Sequence, residues 1–524
     1  MKSINLNIYR SRLTWMVLPV LAALLSLTAC DKHITQATDN TPALTPSSED
    51  LNAGTWKTIL LPRPDSFAVA APVATSNALY VADLNEIKGY QHNLSSGDLS
   101  NIKYWSAGGV LRWNEIMRDL VAKYNLPPYQ NADGTYPIPS STNPFAYPLF
   151  PFSNPPYAAR AYAYVSGAQY DALVACWYYK TLYNRPAPYT VDSTVKALAG
   201  KSTLPSYPSE GAVLAGVTAE MMKLLFPDEI ANIQQQLLNQ ETSLIASGAA
   251  ARSDVTAGEA LGRQVAEMFI TRARADKAGA AVGTTAIWNA FITTAQANGQ
   301  TPWYSLETPA RPPMLPLFGS VTPFLFPAAT VTTLIPGAPP STGSTDMASQ
   351  VQQTYAQIKS PSRAQMAQVQ FWADGAGTYT PPGHWNAIAA EDFIKQNYSE
   401  VRWARNMALL NMTMMDAAIV CWATKYKYFN PRPSQMDGQI KTLTGVPNFP
   451  SYISGHATFS GAAATILGHI IPANAATYTS LANAASASRL MAGIHYPIDC
   501  STGLTVGASV GGYAVLRATG DGAD

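Results

Sequence analysis

Two stretches of this 524-residue chain align without a gap at a spacing of 245: "LPSYPSEGAVLAGVTAEMMKLLFP" (204–227) and "FPSYISGHATFSGAAATILGHIIP" (449–472). At the same spacing "RAYAYVSGAQYDALVACWYYK" (160–180) pairs with "RNMALLNMTMMDAAIVCWATK" (405–425), and "DVTAGEALGRQV" (254–265) with "DCSTGLTVGASV" (499–510). Blocks kept in one order at one spacing read as an ancestral duplication, so the chain must build one architecture twice. One difference stands out. Gly211 occupies the place that His456 takes in the second copy, in a chain with only six histidines.

The repeated unit reads as helical. Apolar residues recur at helical spacing through 401–426, and strand signals are absent. A small-residue helix over 457–471 is stopped by Pro472, and its counterpart over 212–226 by Pro227. Two proline-rich stretches, 136–156 and 302–340, the latter with ten prolines, are poor helix and strand formers and should wrap the surface as loops. The expected fold is all-α: two helical bundles related by a pseudo-dyad, with long connections. Its N-terminal half would run over 56–300, a proline-rich connection over 301–345, and the C-terminal half over 346–524.

Charged residues make up 13% of the chain and the net charge is +1, without a basic patch interleaved with aromatics, which argues against nucleic acid as a partner. At the N-terminus Lys2, Arg10 and Arg12 precede an apolar run too short to span a bilayer comfortably, followed by Leu27-Thr28-Ala29-Cys30. This resembles a bacterial lipoprotein signal over 1–29, with Cys30 lipidated and 30–55 serving as a polar tether. The resemblance implies export to the bacterial cell envelope and a membrane contact through the lipid anchor only. The remaining cysteines, Cys176, Cys421 and Cys500, are too few for a disulfide framework. The first two share the 245 spacing, as equivalent core positions would.

Three blocks in the second half carry the chemistry: Lys425 with Arg432-Pro433, then Ser454-Gly455-His456, then Arg489, His495 and Asp499 in "SRLMAGIHYPID". In order and spacing they resemble the type 2 phosphatidic acid phosphatase and vanadium haloperoxidase superfamily. Ile453, where a proline is common, is the one departure in the second block.

The resemblance implies that Lys425, Arg432, Arg489, Ser454 and Gly455 hold a tetrahedral oxyanion. His456 would be the general acid. His495 would be the in-line group, a nucleophile toward phosphate or the ligand of vanadium, and Asp499 would orient it. Elementary physics agrees. A multiply charged oxyanion needs cations, guanidiniums that grip oxygens in pairs, and the positive end of a helix. The first half keeps Lys180, Arg185, Ser209 and Asp254 but has Gly211, Leu244 and Ala250 in place of His456, Arg489 and His495. It should be scaffold.

"PPGHWNAIA" (381–389) resembles a segment of the haloperoxidase-like branch, and His384 and Trp385 are pocket candidates, on a loop or as a helix-start packing motif. Together with the duplicated size, it favours an enzyme that uses vanadate to oxidise halide with hydrogen peroxide. A secreted acid phosphatase acting on phosphate esters through a phosphohistidine, with no cofactor, is the alternative. A non-catalytic oxyanion-binding envelope protein comes third.

Overall fold

The computed structural model describes residues 41–125, 154–307 and 310–523, and every regular element among them is helical. The signal segment, Cys30, the first part of the tether and most of the 136–156 stretch lie outside the described residues. The first three α-helices among the described residues are α1 (Ala78–His92), α2 (Ser96–Ser106) and α3 (Gly109–Tyr124). Then come α4 (Pro155–Tyr183), the short α5 (Pro188–Val191), α6 (Glu210–Leu225), α7 (Ile230–Ala246), α8 (Arg252–Ala275) and α9 (Thr285–Ala297). The connecting region holds α10 (Thr330–Leu334), α11 (Thr345–Ile358), α12 (Arg363–Phe371) and α13 (Thr380–Gln396). The rest is α14 (Glu400–Tyr428), α15 (Pro433–Met436), α16 (Gly455–Ile470), α17 (Ala475–Met491) and α18 (Pro497–Thr519).

The 245-residue spacing reappears in the helix bounds. α4, α5, α6 and α7 begin and end 245 residues before α14, α15, α16 and α17. Local chemistry sets the ends. Asn154 caps α4 by accepting the Tyr157 N–H at 2.9 Å, with Pro155 in the first turn. Ser399 caps α14 by accepting the Arg402 N–H at 3.2 Å. Both helices stop at a residue in the left-handed region, Asn184 (φ 45°) and Phe429 (φ 49°).

α4 and α14 pack against each other, and each is buried around almost its whole circumference, as a helix apolar on all sides should be. Glu400–Met436 is long and apolar enough to cross a membrane by composition, but its apolar window is 94% buried inside the protein. Around this pair, α6 lies against α8 and α16 against α18. These crossings are tight because glycine permits them. A Cβ on Gly507 would sit 2.1 Å from the Thr458 carbonyl oxygen, and one on its counterpart Gly262 would sit 2.3 Å from that of Val213.

The halves share one core rather than forming separate globules. Ala43–Asp524 is a single compact unit, and Trp113, Tyr162 and Trp177 belong to the same cluster as Trp385, Trp422 and Phe459. A buried amide ladder runs through it. Asn114 Nδ2 donates to Asn386 Oδ1 at 2.8 Å, Asn386 Nδ2 to Asn411 Oδ1 at 2.7 Å, and Asn411 Nδ2 to Ser166 Oγ at 2.9 Å. Each central helix also anchors a loop through a buried carboxylate. Asp171 accepts the N–H groups of Ile59, Leu60 and Leu61, and Asp416 accepts those of Phe324 and Leu325. The latter loop belongs to the proline-rich connection, which wraps α14 as ordered chain.

Candidate active site

The last turn of α14, the loop before α16, the end of α17 and the start of α18 meet at one end of the second half. His495 sits between α17 and α18 and is 2% exposed. Asp499, in the first turn of α18, is four residues on, so its Oδ2 lies 2.9 Å from His495 Nδ1. Ser451 Oγ and the Tyr496 N–H also donate to that carboxylate. With Nδ1–H committed to Asp499, the Nε2 lone pair on the far side of the ring accepts from Arg432 Nη1 at 3.0 Å. Burial, then Arg432, Lys425 and Arg489, holds this imidazole well below its ordinary pKa, so it is neutral.

A cavity of about 510 Å³ opens beside it, and among the expected residues Gly455, His456, Arg489 and His495 line its wall. Arg432 is fully buried behind the wall. Its Nε donates to Phe449 O at 3.0 Å and its Nη1 to Ile494 O at 2.8 Å, while Nη2 has no partner. Arg489 donates through Nη1 to Trp372 O at 2.7 Å, and its buried Nε is unpartnered. His456, in the first turn of α16, also has an unpartnered Nε2, and burial, then Arg489 and His384, pushes its pKa well down. Ser454 is the N-cap of α16. Its Oγ accepts the Ala457 N–H and its own N–H donates to Asp499 O at 3.0 Å. A Cβ on Gly455 would meet nothing nearer than Trp422 Cζ3 at 3.8 Å, so this glycine keeps the helix mouth open toward the cavity.

Two expectations need correction. Lys425 does not face the cavity: its ammonium donates to the carbonyls of Pro450, Ser451 and Ile453, the first two at 2.9 Å, tying down the loop that carries Ser454. Three carbonyls saturate three donors, so its service to an anion is to shape the loop and supply charge. Burial pushes its pKa down to about 7. Of the two forms expected for the "PPGHWNAIA" segment, the structure shows the helix start, that of α13 with both prolines in the first turn, and not the pocket-lining loop. Trp385 is fully buried and donates from Nε1 to Ser460 Oγ at 3.0 Å, away from the cavity wall. His384 lies one layer back. Its ring stacks on Trp372 at 4.4 Å, and its Nδ1 is 3.0 Å from Asp374 Oδ1.

Two residues escaped the sequence reading. Asp374 lines the cavity, and its Oδ2 is 3.7 Å from His456 Nε2, so one carboxylate faces both His384 and His456. It follows α12 in a loop with no recognisable motif. The other is Glu210, the counterpart of Gly455. Its carboxylate fills the first-half cradle, taking Lys180 Nζ at 3.1 Å and Trp177 Nε1 at 2.9 Å. Arg185 turns away to Asp254 and Ser253. Aligning the repeats shows glycine against glutamate here, a signal overshadowed by the missing histidine beside it.

Residues 406–520 match the PAP2 superfamily. No curated protein matches the sequence. Among solved structures the chain is similar to one described as the first bacterial vanadium-dependent iodoperoxidase, at 20% identity and a TM-score of 0.57, over 78% of this chain and 96% of that one. It is also similar to apo-type and holo-type bacterial vanadium-dependent chloroperoxidase, each at 12% identity and a TM-score of 0.48. These cover 69% and 73% of this chain and 94% and 96% of theirs. At such identities the iodoperoxidase likeness is one of fold.

Proposed function

We propose that this chain, with its PAP2 superfamily match over residues 406–520, is a vanadium-dependent haloperoxidase-like enzyme that oxidises halide with hydrogen peroxide. One observation carries the reading. Arg489 and His456, each with a buried unpartnered nitrogen, line one cavity beside the neutral His495, with the Arg432 guanidinium just behind its wall against His495 Nε2, which suits a tetrahedral oxyanion bound to that imidazole. The fold likeness to a bacterial iodoperoxidase across most of both chains favours vanadate over phosphate as that ion.

Vanadate would be held by His495 Nε2, Arg432, Arg489 and the α16 mouth at Ser454 and Gly455. When bound it supplies a Lewis acid that activates hydrogen peroxide toward halide. The protein's own contributions are more specific. Asp499 keeps the proton on His495 Nδ1, so Nε2 stays a donor of electrons. The guanidiniums, always charged, balance the anion at a largely buried site. His456, neutral at rest, accepts a proton at Nε2 and returns it, with the Asp374 carboxylate 3.7 Å away to stabilise the charged form. Export and lipid anchoring at Cys30 would place this chemistry in the bacterial envelope.

Purified protein loaded with orthovanadate should take up about one vanadium per chain and brominate a dione reporter from bromide and peroxide between about pH 4 and 8. Vigorous hydrolysis of a nitrophenyl phosphate without halide oxidation at any pH would replace this reading with a phosphatase acting through phosphohistidine at His495.

A further inference from the structure

The loop that follows α12 reaches two of the functional side chains. Its Trp372 carbonyl accepts Arg489 Nη1 at 2.7 Å, and Asp374 Oδ2 lies 3.7 Å from His456 Nε2. Downstream the loop is pinned by Asn125, whose Nδ2 donates to Gly375 O and Thr378 O, each at 2.9 Å. Asp374 itself has φ 46°, a left-handed backbone uncommon for a residue with a Cβ, so this turn needs holding. One side chain near the start of α13 grips both of its functional residues. The His384 ring stacks on Trp372 at 4.4 Å with the planes 26° apart, and His384 Nδ1 is 3.0 Å from Asp374 Oδ1. Facing a carboxylate, that Nδ1 carries the proton and donates it. With Oδ1 taken, the Asp374 oxygen turned to His456 is the one without a hydrogen-bond partner.

We infer that His384 is a positioning residue of the active site, aligning Arg489 through the Trp372 carbonyl and His456 through the Asp374 carboxylate. His384 is itself buried and lies off the cavity wall, so it acts only through these two neighbours. A helix is the firmer support for such a task, and here it fixes a loop by one stacking contact and one hydrogen bond. The two branches serve different steps. Holding the Trp372 carbonyl orients the guanidinium that grips the anion. Holding Asp374 keeps a negative charge beside His456 for the moment when that imidazole carries a proton. The His456 branch rests on the haloperoxidase reading, whereas the Arg489 branch asks only that the cradle bind a tetrahedral anion.

The test separates the two contacts. His384→Phe keeps a ring against Trp372 but offers Asp374 no donor; His384→Asn offers a donor near the place of Nδ1 but removes the ring. When sulfate is titrated calorimetrically into the vanadate-free full chain, His384→Asn should bind about tenfold more weakly and His384→Phe within about twofold of the natural protein. Bromination by the vanadate-saturated chain should show the opposite order, with His384→Phe lowering kcat about 10- to 100-fold at unchanged bromide KM and His384→Asn within about threefold. Asp374→Asn should repeat the kcat loss of His384→Phe, reading the same branch with His384 in place. Losses that run together in both His384 variants and follow the melting temperature would mark a packing role and overturn the proposal. So would a sulfate affinity untouched by His384→Asn, or a kcat untouched by His384→Phe and Asp374→Asn. A natural chain that hydrolyses nitrophenyl phosphate but oxidises no halide would remove the oxidative reading instead. The kcat split is then read in that hydrolysis, where its presence upholds His384 and its absence overturns it.

Discussion

Lys180 and Lys425 hold equivalent places at the ends of equivalent helices, both buried, yet their charges are set in opposite ways. Burial penalises each. At Lys180 the Glu210 carboxylate outweighs that penalty and the pKa rises; at Lys425 no carboxylate stands in the cradle and the pKa falls to about 7. The first half carries its anion covalently, as a side chain. The second has Gly455 at that position and three unpartnered nitrogens nearby. The exchange of Glu210 for Gly455, together with the gain of His456, Arg489 and His495, thus separates a neutralised strut from a site that must import its counter-charge.

The comparison breaks most decisively at the imidazole. His495→Ala should lower turnover by on the order of 10⁴-fold or more, while Lys180→Ala leaves the turnover of folded enzyme within about twofold; steady-state bromination assays read both. The reverse pattern would move the site to the first half. The next test exchanges the distinguishing residues. Gly455→Glu has room for its Cβ and should cut sulfate affinity at least about 100-fold, because the new carboxylate competes for Arg489 and Arg432. Glu210→Gly should leave Lys180 unpaired and lower stability by about 3 kcal/mol, seen in urea unfolding.

The two aspartates sharpen the contrast further. Asp254 clamps Arg185, whereas Asp499 orients His495. Asp499→Asn should slow turnover about 10- to 100-fold with vanadate affinity falling alongside, and Asp254→Asn should affect thermal stability instead. The smallest effect is a pH dependence. A bound anion raises the Lys425 pKa above its resting value of about 7. Sulfate affinity should therefore be full below pH 7 and weaken above it, by at most about tenfold per pH unit, with proton uptake on binding seen by calorimetry in two buffers. Sulfate keeps its own charge across this range, so the slope belongs to the protein.

Much of this was legible beforehand. The repeat spacing placed the helices to within two or three residues, since capping residues and stop prolines are local signals. The site blocks are legible because their order and spacing resemble those of a known superfamily, and His495 lies just before the N-cap of the helix whose first turn carries Asp499. What escaped depends on the path of the chain in space. Nothing near Asp374 announces that its loop returns to His456 across the cavity. The motif makes Lys425 an expected anion contact, but only the fold shows that three carbonyls of one loop surround its ammonium. For His384 and Trp385 the sequence leaves a pocket-lining loop and a helix-start packing motif both open, and only the fold selects the helix start, with both side chains off the cavity wall.

The amide ladder from Asn114 through Asn386 and Asn411 to Ser166 bears on how the gene can be dissected. Its rungs alternate between segments far apart in sequence, so cutting the chain between the repeats would strand carboxamides on a dry apolar face of each fragment. An isolated C-terminal fragment, although it holds every residue assigned to the reaction, should come out of expression insoluble. The first half would thus serve the second as a permanent chaperone.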